Sequence, residues 1–314
     1  MRKIFFNTLE NIAKEDKSIF MLIAGLGIKF FQNFKEIDPK RFINVGVAEA
    51  NMIGLSAGLA MSGKNVYCYS IIPFLTMRTF EQIRINLCYN NLDVKLLGAG
   101  GGLVYGIEGV THHALEDMAI MRSLPNMTIV APGDALEAEA LAKASVDHKG
   151  PLYIRFGRDI DPLVHQENNF KFEIGKGIVL KKGKEVCLIA TGTMLYQTKL
   201  ALDFLIKEGF NPTFVSIHTI KPLDEELIKD LAKNHDAIFT IEEHNIIGGL
   251  GSAVAEVLAE NKYGGFFKRL GIQDKYSYSL GIGNAAYLLK VNKLDPENIY
   301  KSIFEECGKY KANK

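Results

Sequence analysis

The sequence predicts an α/β protein made of two doubly wound, mostly parallel sheets. Short β-branched runs alternate with helical patterns along the whole chain, the mark of strand–helix–strand units whose sheet is covered on both faces. A polar, irregular stretch, GRDIDPLVHQENNFKFEIGKG, interrupts the alternation at 157–177 and is too long for a compact connection. After it the alternation restarts. At 314 residues the chain can hold two domains, each with its own core. The expected boundaries are 1–158 and 177–314, with a linker at 159–176.

In the first half the expected strands are SIFMLIA (18–24), RFINV (41–45), NVYCYS (65–70), DVKLLGA (93–99), MTIVAP (127–132) and PLYIRF (151–156). Helical patterns lie between them near 48–62, 78–90, 115–123 and 134–147. The second half begins with VCLIAT (186–191), followed by a helix near 194–208 and the strand PTFVSIH (212–218). A helix near 224–232, the strand DAIFTIEE (236–243) and a helix over 248–260 complete a smaller domain. No sequence repeat relates the halves.

Composition excludes several classes. Hydrophobic residues make up 47% and charged residues 23%, as in soluble globular proteins. A formal net charge of +1 gives no field to recruit nucleic acid or anionic membrane. No uncharged apolar run approaches the ~20 residues of a membrane helix, and the N-terminus lacks a secretory pattern. Cys68, Cys88, Cys187 and Cys307 form no CxxC pair, which suggests reduced thiols and a cytoplasmic protein.

Ligands of open α/β sheets bind beyond the carboxyl ends of the strands, and three loops there could carry chemistry. In INVGVAEANMIGLSAGLAMSG (43–63) a strand passes through Gly46 to Glu49 and a helix with small residues at 50, 54, 58 and 62. That row lies on one helical face and suits close approach of another backbone, so Glu49 is expected to be partly buried at an interface. Burial favours the neutral, hydrogen-bond-donating form of a carboxyl; the competing role is a first-turn Glu facing the helix dipole. Phe74, in SIIPFLTMRTFEQIR, could stack on a flat heteroaromatic ring or simply fill the core. GAGGGLVYGIEGVTHHALED (98–117) has six glycines between Gly98 and Gly109, for mobility or for close approach. It ends in Thr111, His112 and His113. Adjacent histidines make a poor chelate, so no metal site is expected in this chain. The turn HNIIGGLGSAV (244–254) is a weak anion-site signal and reads better as close packing.

Taken in order, these segments resemble the transketolase family of thiamine-diphosphate enzymes. RFINVGVAEANMIGLSAGLA is similar to its strand–Gly–x–x–Glu–helix element, and PFLTMRTFEQIR to its aromatic-to-Arg loop. EGVTHHALEDMAIMRSLPNM resembles the DG-x-TH loop and RS-x-PN turn. PLYIRFGR resembles the last strand of the pyrimidine-binding domain, and VSIHTIKPLD with EEHNIIGGLGSAVAEVL the C-terminal domain. The resemblance spans the chain but only half of a full transketolase, since the diphosphate-binding domain with its GDG…N motif is missing.

It implies the small subunit of a split enzyme, with two small and two large subunits and Mg2+ held by the large one. The activity implied is transfer of a two-carbon ketol unit from a ketose to an aldose through the thiamine diphosphate ylid. Glu49 would bond a ring nitrogen of the cofactor's aminopyrimidine and Phe74 would stack on it. His112 would contact the sugar hydroxyls near the reacting carbonyl, with Glu108 beside them; Arg158 and Arg2 would clamp a sugar phosphate. Three positions depart from the family pattern: Gly25 for an Asp, Gly100 for a phosphate-contacting His or Arg, and Glu108 for an Asp. They point to a modified or non-phosphorylated sugar. The alternatives are a deoxyxylulose-phosphate-synthase-like subunit, a 2-oxo-acid dehydrogenase beta-type subunit, or a non-catalytic homologue.

Overall fold

The computed structural model describes residues 1–157, 162–165, 171–278 and 283–312. Among them, the first sheet is built from β1 (Ile19–Ile23), β2 (Phe42–Asn44), β3 (Asn65–Ile71), β4 (Val94–Ala99), β5 (Thr128–Val130) and β6 (Leu152–Phe156). The second is built from β7 (Ile178–Lys181), β8 (Glu185–Ala190), β9 (Thr213–Ser216), β11 (His235–Asn245) and β12 (Phe266–Ile272). Between β9 and β11 in the chain, β10 (Thr219–Lys221) returns to the first sheet. The spatial orders are β10-β5-β6-β4-β3-β1-β2 and β12-β11-β8-β9-β7. Pairings are parallel except at β7–β9 and at β10, which lies antiparallel on β5.

The central strands β3, β4 and β6 are buried almost throughout, as parallel strands covered on both faces must be. The helix expected near 78–90 is a short turn at Phe80–Gln82 running into a π-helical segment, Ile83–Tyr89. The N-terminal segment adds an amphipathic helix, Arg2–Glu15, whose Phe5, Phe6, Leu9 and Ala13 are buried. It packs against helix Ala135–Asp147, so the chain start is part of the core and Arg2 is carried toward the sheet's carboxyl edge.

Strand β10 joins the halves: it comes from the second half of the chain yet completes the first sheet. Lys221 Nζ donates to the Arg122 and Leu124 carbonyls at 2.9 and 2.5 Å, and the Ala131 N–H donates to the His218 carbonyl at 2.7 Å. Beside it lies a buried polar joint. Glu137 accepts from His165 Nε2 at 2.7 Å, from Ser216 Oγ at 2.6 Å and from the Gly133 N–H at 2.6 Å. Val164 and His165 N–H groups both donate to Asp134 at 2.9 Å, which fastens this part of the linker region to the first domain.

The joint makes stability depend on pH. Burial works to raise the Glu137 carboxyl, but the bond from His165 and the nearby histidines carry it below its ordinary 4.5. Burial works to lower His165, but Glu137 carries it above 6.5. His218, stacked on Phe172 at 4.2 Å, is lowered by burial. The Glu137 contribution is complete above pH 4.5 and is lost as pH falls through the lower folded value. The His165 contribution is complete below 6.5 and is lost as pH rises through the raised value. His218 opposes acid from 6.5 downward. Stability from the joint should therefore peak near the ordinary histidine value and fall on both sides. In urea denaturation followed across pH, His165→Gln should flatten the alkaline limb and also weaken the acid limb, since Glu137 loses the partner that lowers it. An unchanged alkaline limb would contradict this assignment.

Candidate active site

The site is assembled at the carboxyl ends of β2, β3 and β4. Gly46 turns the chain after β2 in the left-handed region, at φ 73°. The Asn44 side chain accepts from the Gly46 N–H at 3.0 Å and from the Gly25 N–H at 3.1 Å, tying the β1 and β2 loops together. Gly25 is itself left-handed, at φ 72°. The turn leaves Glu49 as the first residue of helix Glu49–Met61, with its side chain 1% exposed. A carboxylate taken out of water needs partners. Ser70 Oγ, near the end of β3, donates to Glu49 Oε1 at 3.3 Å, and Arg78 Nη1 donates to Oε2 at 2.9 Å. Glu49 is thus a buried acid, not a solvated helix-start residue.

A line of aromatic and cationic groups runs on from it. The Arg78 guanidinium lies 4.4 Å from the centre of the Phe74 ring, a cation–π contact. Phe74 meets His112 edge-on at 5.2 Å, and His112 meets Tyr105 edge-on at 5.6 Å. Burial raises the Tyr105 phenol and the nearby Arg2 charge works against that rise, while Arg2 Nη1 donates to the Tyr69 hydroxyl at 3.0 Å. Glu49, Phe74, His112 and Arg2, far apart in sequence, therefore share one continuous surface. Glu108 borders it, half exposed and 3.4 Å from His112 Nε2, while Thr111 Oγ1 lies 2.9 Å from His112 Nδ1. Arg158 lies outside the described residues.

The glycine-rich loop is used for close approach. Gly100 and Gly101 N–H groups donate to the Phe156 carbonyl at 3.1 and 2.8 Å, and Gly102 and Ala114 exchange two backbone bonds. The Leu103 N–H donates to Glu243 Oε1 at 2.8 Å. A Cβ on Gly102 would overlap the Glu243 carboxyl group, so glycine admits this reach from the second domain. His113, by contrast with His112, is buried and bonded at 2.9 Å to the Gly106 carbonyl; it shapes the loop. At 244–254 the anion on the helix start is internal: Glu242 accepts from Leu250 and Gly251 N–H groups at 2.8 Å. Burial pushes its carboxyl up to about 7.

Arg78 and Tyr105 were not singled out by sequence reasoning. For Arg78 a signal existed: it follows Phe74 by four residues, the spacing of a shared helical face. Tyr105 sits in an irregular loop with no periodicity to reveal it.

Comparison with known proteins gives the family. Residues 1–160 match the profile of the transketolase pyrimidine binding domain, and residues 175–299 that of the transketolase C-terminal domain. The chain belongs to the transketolase family. It is 40% identical to a putative transketolase C-terminal section of Methanocaldococcus jannaschii, covering 98% of this chain and 96% of that one. It is 36% identical to one subunit of the apulose-4-phosphate transketolase of Phocaeicola vulgatus, covering 97% and 96%. It is 35% identical to a 6-deoxy-6-sulfo-D-fructose transketolase subunit of Clostridium sp. strain MSTE9, covering 97% and 94%. Among solved structures, a split-gene transketolase described as an inactive beta4 tetramer is similar at a TM-score of 0.88 and 36% identity, with 97% of each chain covered.

A transketolase pyrimidine-binding domain must hold a flat ring that offers and accepts hydrogen bonds. This chain's residues fit that demand by a direct observation. A planar cation, the Arg78 guanidinium, already covers Phe74 and donates to buried Glu49. A flat, hydrogen-bonding group can thus lie against Phe74 and Glu49 at once, and Arg78 has its side chain 50% exposed.

Proposed function

We propose that this chain is the small subunit of a two-chain transketolase that transfers a two-carbon ketol unit from a ketose to an aldose, with thiamine diphosphate as cofactor. The observation that carries the reading is the buried Glu49 carboxylate beside Phe74, with a planar cation spanning both. Glu49 would hold the cofactor through a proton-sharing bond to a ring nitrogen and so favour one tautomer, and Phe74 would support the face of the ring. The cofactor, when bound, supplies the nucleophilic carbon and the electron sink for the two-carbon unit. His112, hydrogen-bonded to Thr111 and close to Glu108, orients the sugar hydroxyls beside the reacting carbonyl. Arg2 and Arg158 receive the acidic end of the sugar.

The diphosphate and its Mg2+ fall to a large subunit, with two small and two large chains in the assembly. One support is the outer face of helix Glu49–Met61. Ala50, Gly54 and Gly58 are exposed there, and a Cβ on either glycine would meet nothing within 4 Å. That face is open to a closely packed partner. The sugar is modified, in keeping with the names of the relatives from Phocaeicola and Clostridium. No helix among the described residues is long and apolar enough to cross a membrane. Cys68, Cys88 and Cys187 are buried thiols outside any disulfide, which suits the cytoplasm.

The test is native mass spectrometry of the tagged chain, purified from its own cell extract with thiamine diphosphate and magnesium present. A second chain in equal ratio, carrying the cofactor's mass, is the expected result. A chain that comes alone, and binds no cofactor when a candidate large subunit is supplied, would overturn the reading. Product analysis with a ketose against pyruvate as donor then separates ketol transfer from the synthase reaction.

A further inference from the structure

The stretch from Gly102 to Ala114 closes on itself. Its two ends exchange backbone bonds at 2.9 and 3.0 Å, so residues 103–113 form a loop pinned at its base, with His112 close to the pin. Within it, the Gly106 N–H donates to the Leu103 carbonyl at 2.9 Å, and His113 holds the Gly106 carbonyl. What fixes the base of this loop therefore fixes where His112 stands.

The base rests on the second domain. Leu103 and Leu115, each next to one of the closing residues, are buried in one cluster with Leu188 of β8 and with Phe239 and Ile241 of β11. Apolar burial holds such feet down but has no direction of its own; direction comes from hydrogen bonds. Glu243, near the end of β11 and 4% exposed, supplies it. Its Oε1 accepts from the Leu103 N–H at 2.8 Å, and its Oε2 accepts from the Thr193 hydroxyl at 2.5 Å. Thr193 is held in turn, because its methyl group fills the place that a Cβ on Gly157 would take. On the other foot, the Asn245 N–H donates to the Leu115 carbonyl at 2.8 Å.

We infer that Glu243 is a positioning residue for His112. Through the Leu103 N–H it sets how the 103–113 loop sits on the second domain. A domain that contributes none of the proposed site residues thereby fixes where the sugar hydroxyls are met. Small movements matter here, since a displacement of about 1 Å in a positioned group can cost about 10²-fold in rate. The sugar comes from the ketol-transfer reading; the anchoring of the loop does not depend on it.

The first measurement is amide hydrogen exchange on the chain alone. Glu243→Ala leaves the Leu103 N–H and the Thr193 hydroxyl without their acceptor. Protection over 103–113 should then fall about 10- to 100-fold, as for loss of a bond to a charged group. Glu243→Gln keeps an oxygen for the Leu103 N–H and should lose less than about tenfold. Thr193→Val removes only the hydroxyl at similar volume and should also loosen the loop, so the test survives if Glu243→Ala fails to fold. Leu205→Ala, in the same buried cluster, is the control and should lower protection across the second domain without singling out the loop. No loss over 103–113, or a loss spread evenly as in the control, would overturn the inference.

The second measurement uses the assembled enzyme with fructose 6-phosphate and 6-deoxy-6-sulfofructose as donors. Glu243→Ala should raise KM for the ketose about tenfold, while thiamine diphosphate affinity holds, because Glu49 and Phe74 stand on other loops. Glu243→Gln should recover most of the loss. If ketose and cofactor binding weaken equally, Glu243 is only a structural residue and the inference fails. If exchange behaves as expected but the unaltered enzyme consumes no ketose, the anchoring stands and ketol transfer is the part that fails.

Discussion

Glu49→Gln should lower turnover of the assembled enzyme by about 10²- to 10⁴-fold, the usual weight of a positioned proton-handling group. Glutamine matches the volume of glutamate, so no cavity opens beneath helix Glu49–Met61, and folding and assembly should persist. What disappears is the negative charge now held by Arg78 at 2.9 Å and Ser70 at 3.3 Å. A neutral amide can still bond to a ring nitrogen, but it cannot share a proton with it. The readout is kcat at saturating cofactor, with native mass spectrometry to confirm the intact assembly. An unchanged kcat would make Glu49 a structural ion-pair member and revive the non-catalytic homologue.

Arg78→Met sharpens the same test. If Arg78 only covers the slot before the cofactor arrives, its loss should destabilise the isolated chain, because Glu49 is left buried without its cation. Cofactor affinity of the assembled enzyme should hold or improve. A loss of affinity of about tenfold or more, the worth of a charge-assisted bond, would instead make Arg78 a direct ligand.

The strand–helix alternation was legible because period and composition are local properties. Glu49, Phe74 and His112 were also within reach, since the carboxyl ends of parallel strands converge whatever lies between them. What escaped notice depends on contacts between distant residues. Strand β10 is three residues long, Thr219–Lys221, and pairs with β5 only because the second domain docks there. The six-glycine loop could have been mobile or tightly packed. The choice was made by Tyr105, Arg155 and Glu243, whose side chains crowd Gly100, Gly101 and Gly102. The burial of Glu49 was foreseen from its small-residue helix, yet its cation came from Arg78, 29 residues away. That small-residue row itself faces outward, so the inner face of the helix buries Glu49, Met52 and Ile53 instead.

Asp117→Ala should destabilise the protein by about 3–5 kcal/mol, the cost of leaving a buried charge without its partner. Asp117 is 0% and Arg155 4% exposed, with Arg155 Nε donating to Asp117 Oδ2 at 2.8 Å. Tyr153 OH donates to the same oxygen at 2.6 Å. Burial works against the Arg155 charge, but Asp117 more than offsets it and raises the guanidinium above its ordinary value. Arg155 Nη2 then reaches the carbonyls of Ala114 and Glu243 at 2.8 and 3.0 Å, one in each half of the chain. Losing Asp117 therefore unsettles both the domain contact and the loop that presents His112. Urea denaturation measures the first effect, and a rise in KM for the sugar at 25 °C the second. Adding Arg155→Met should restore part of the stability, since an apolar pair can replace a buried ion pair at little cost. If the double variant is no more stable than Asp117→Ala alone, the loss comes from the Tyr153 bond and packing, and not from an orphaned guanidinium. The KM effect should persist in the double variant either way, because methionine cannot bridge the two carbonyls that hold the His112 loop against the second domain.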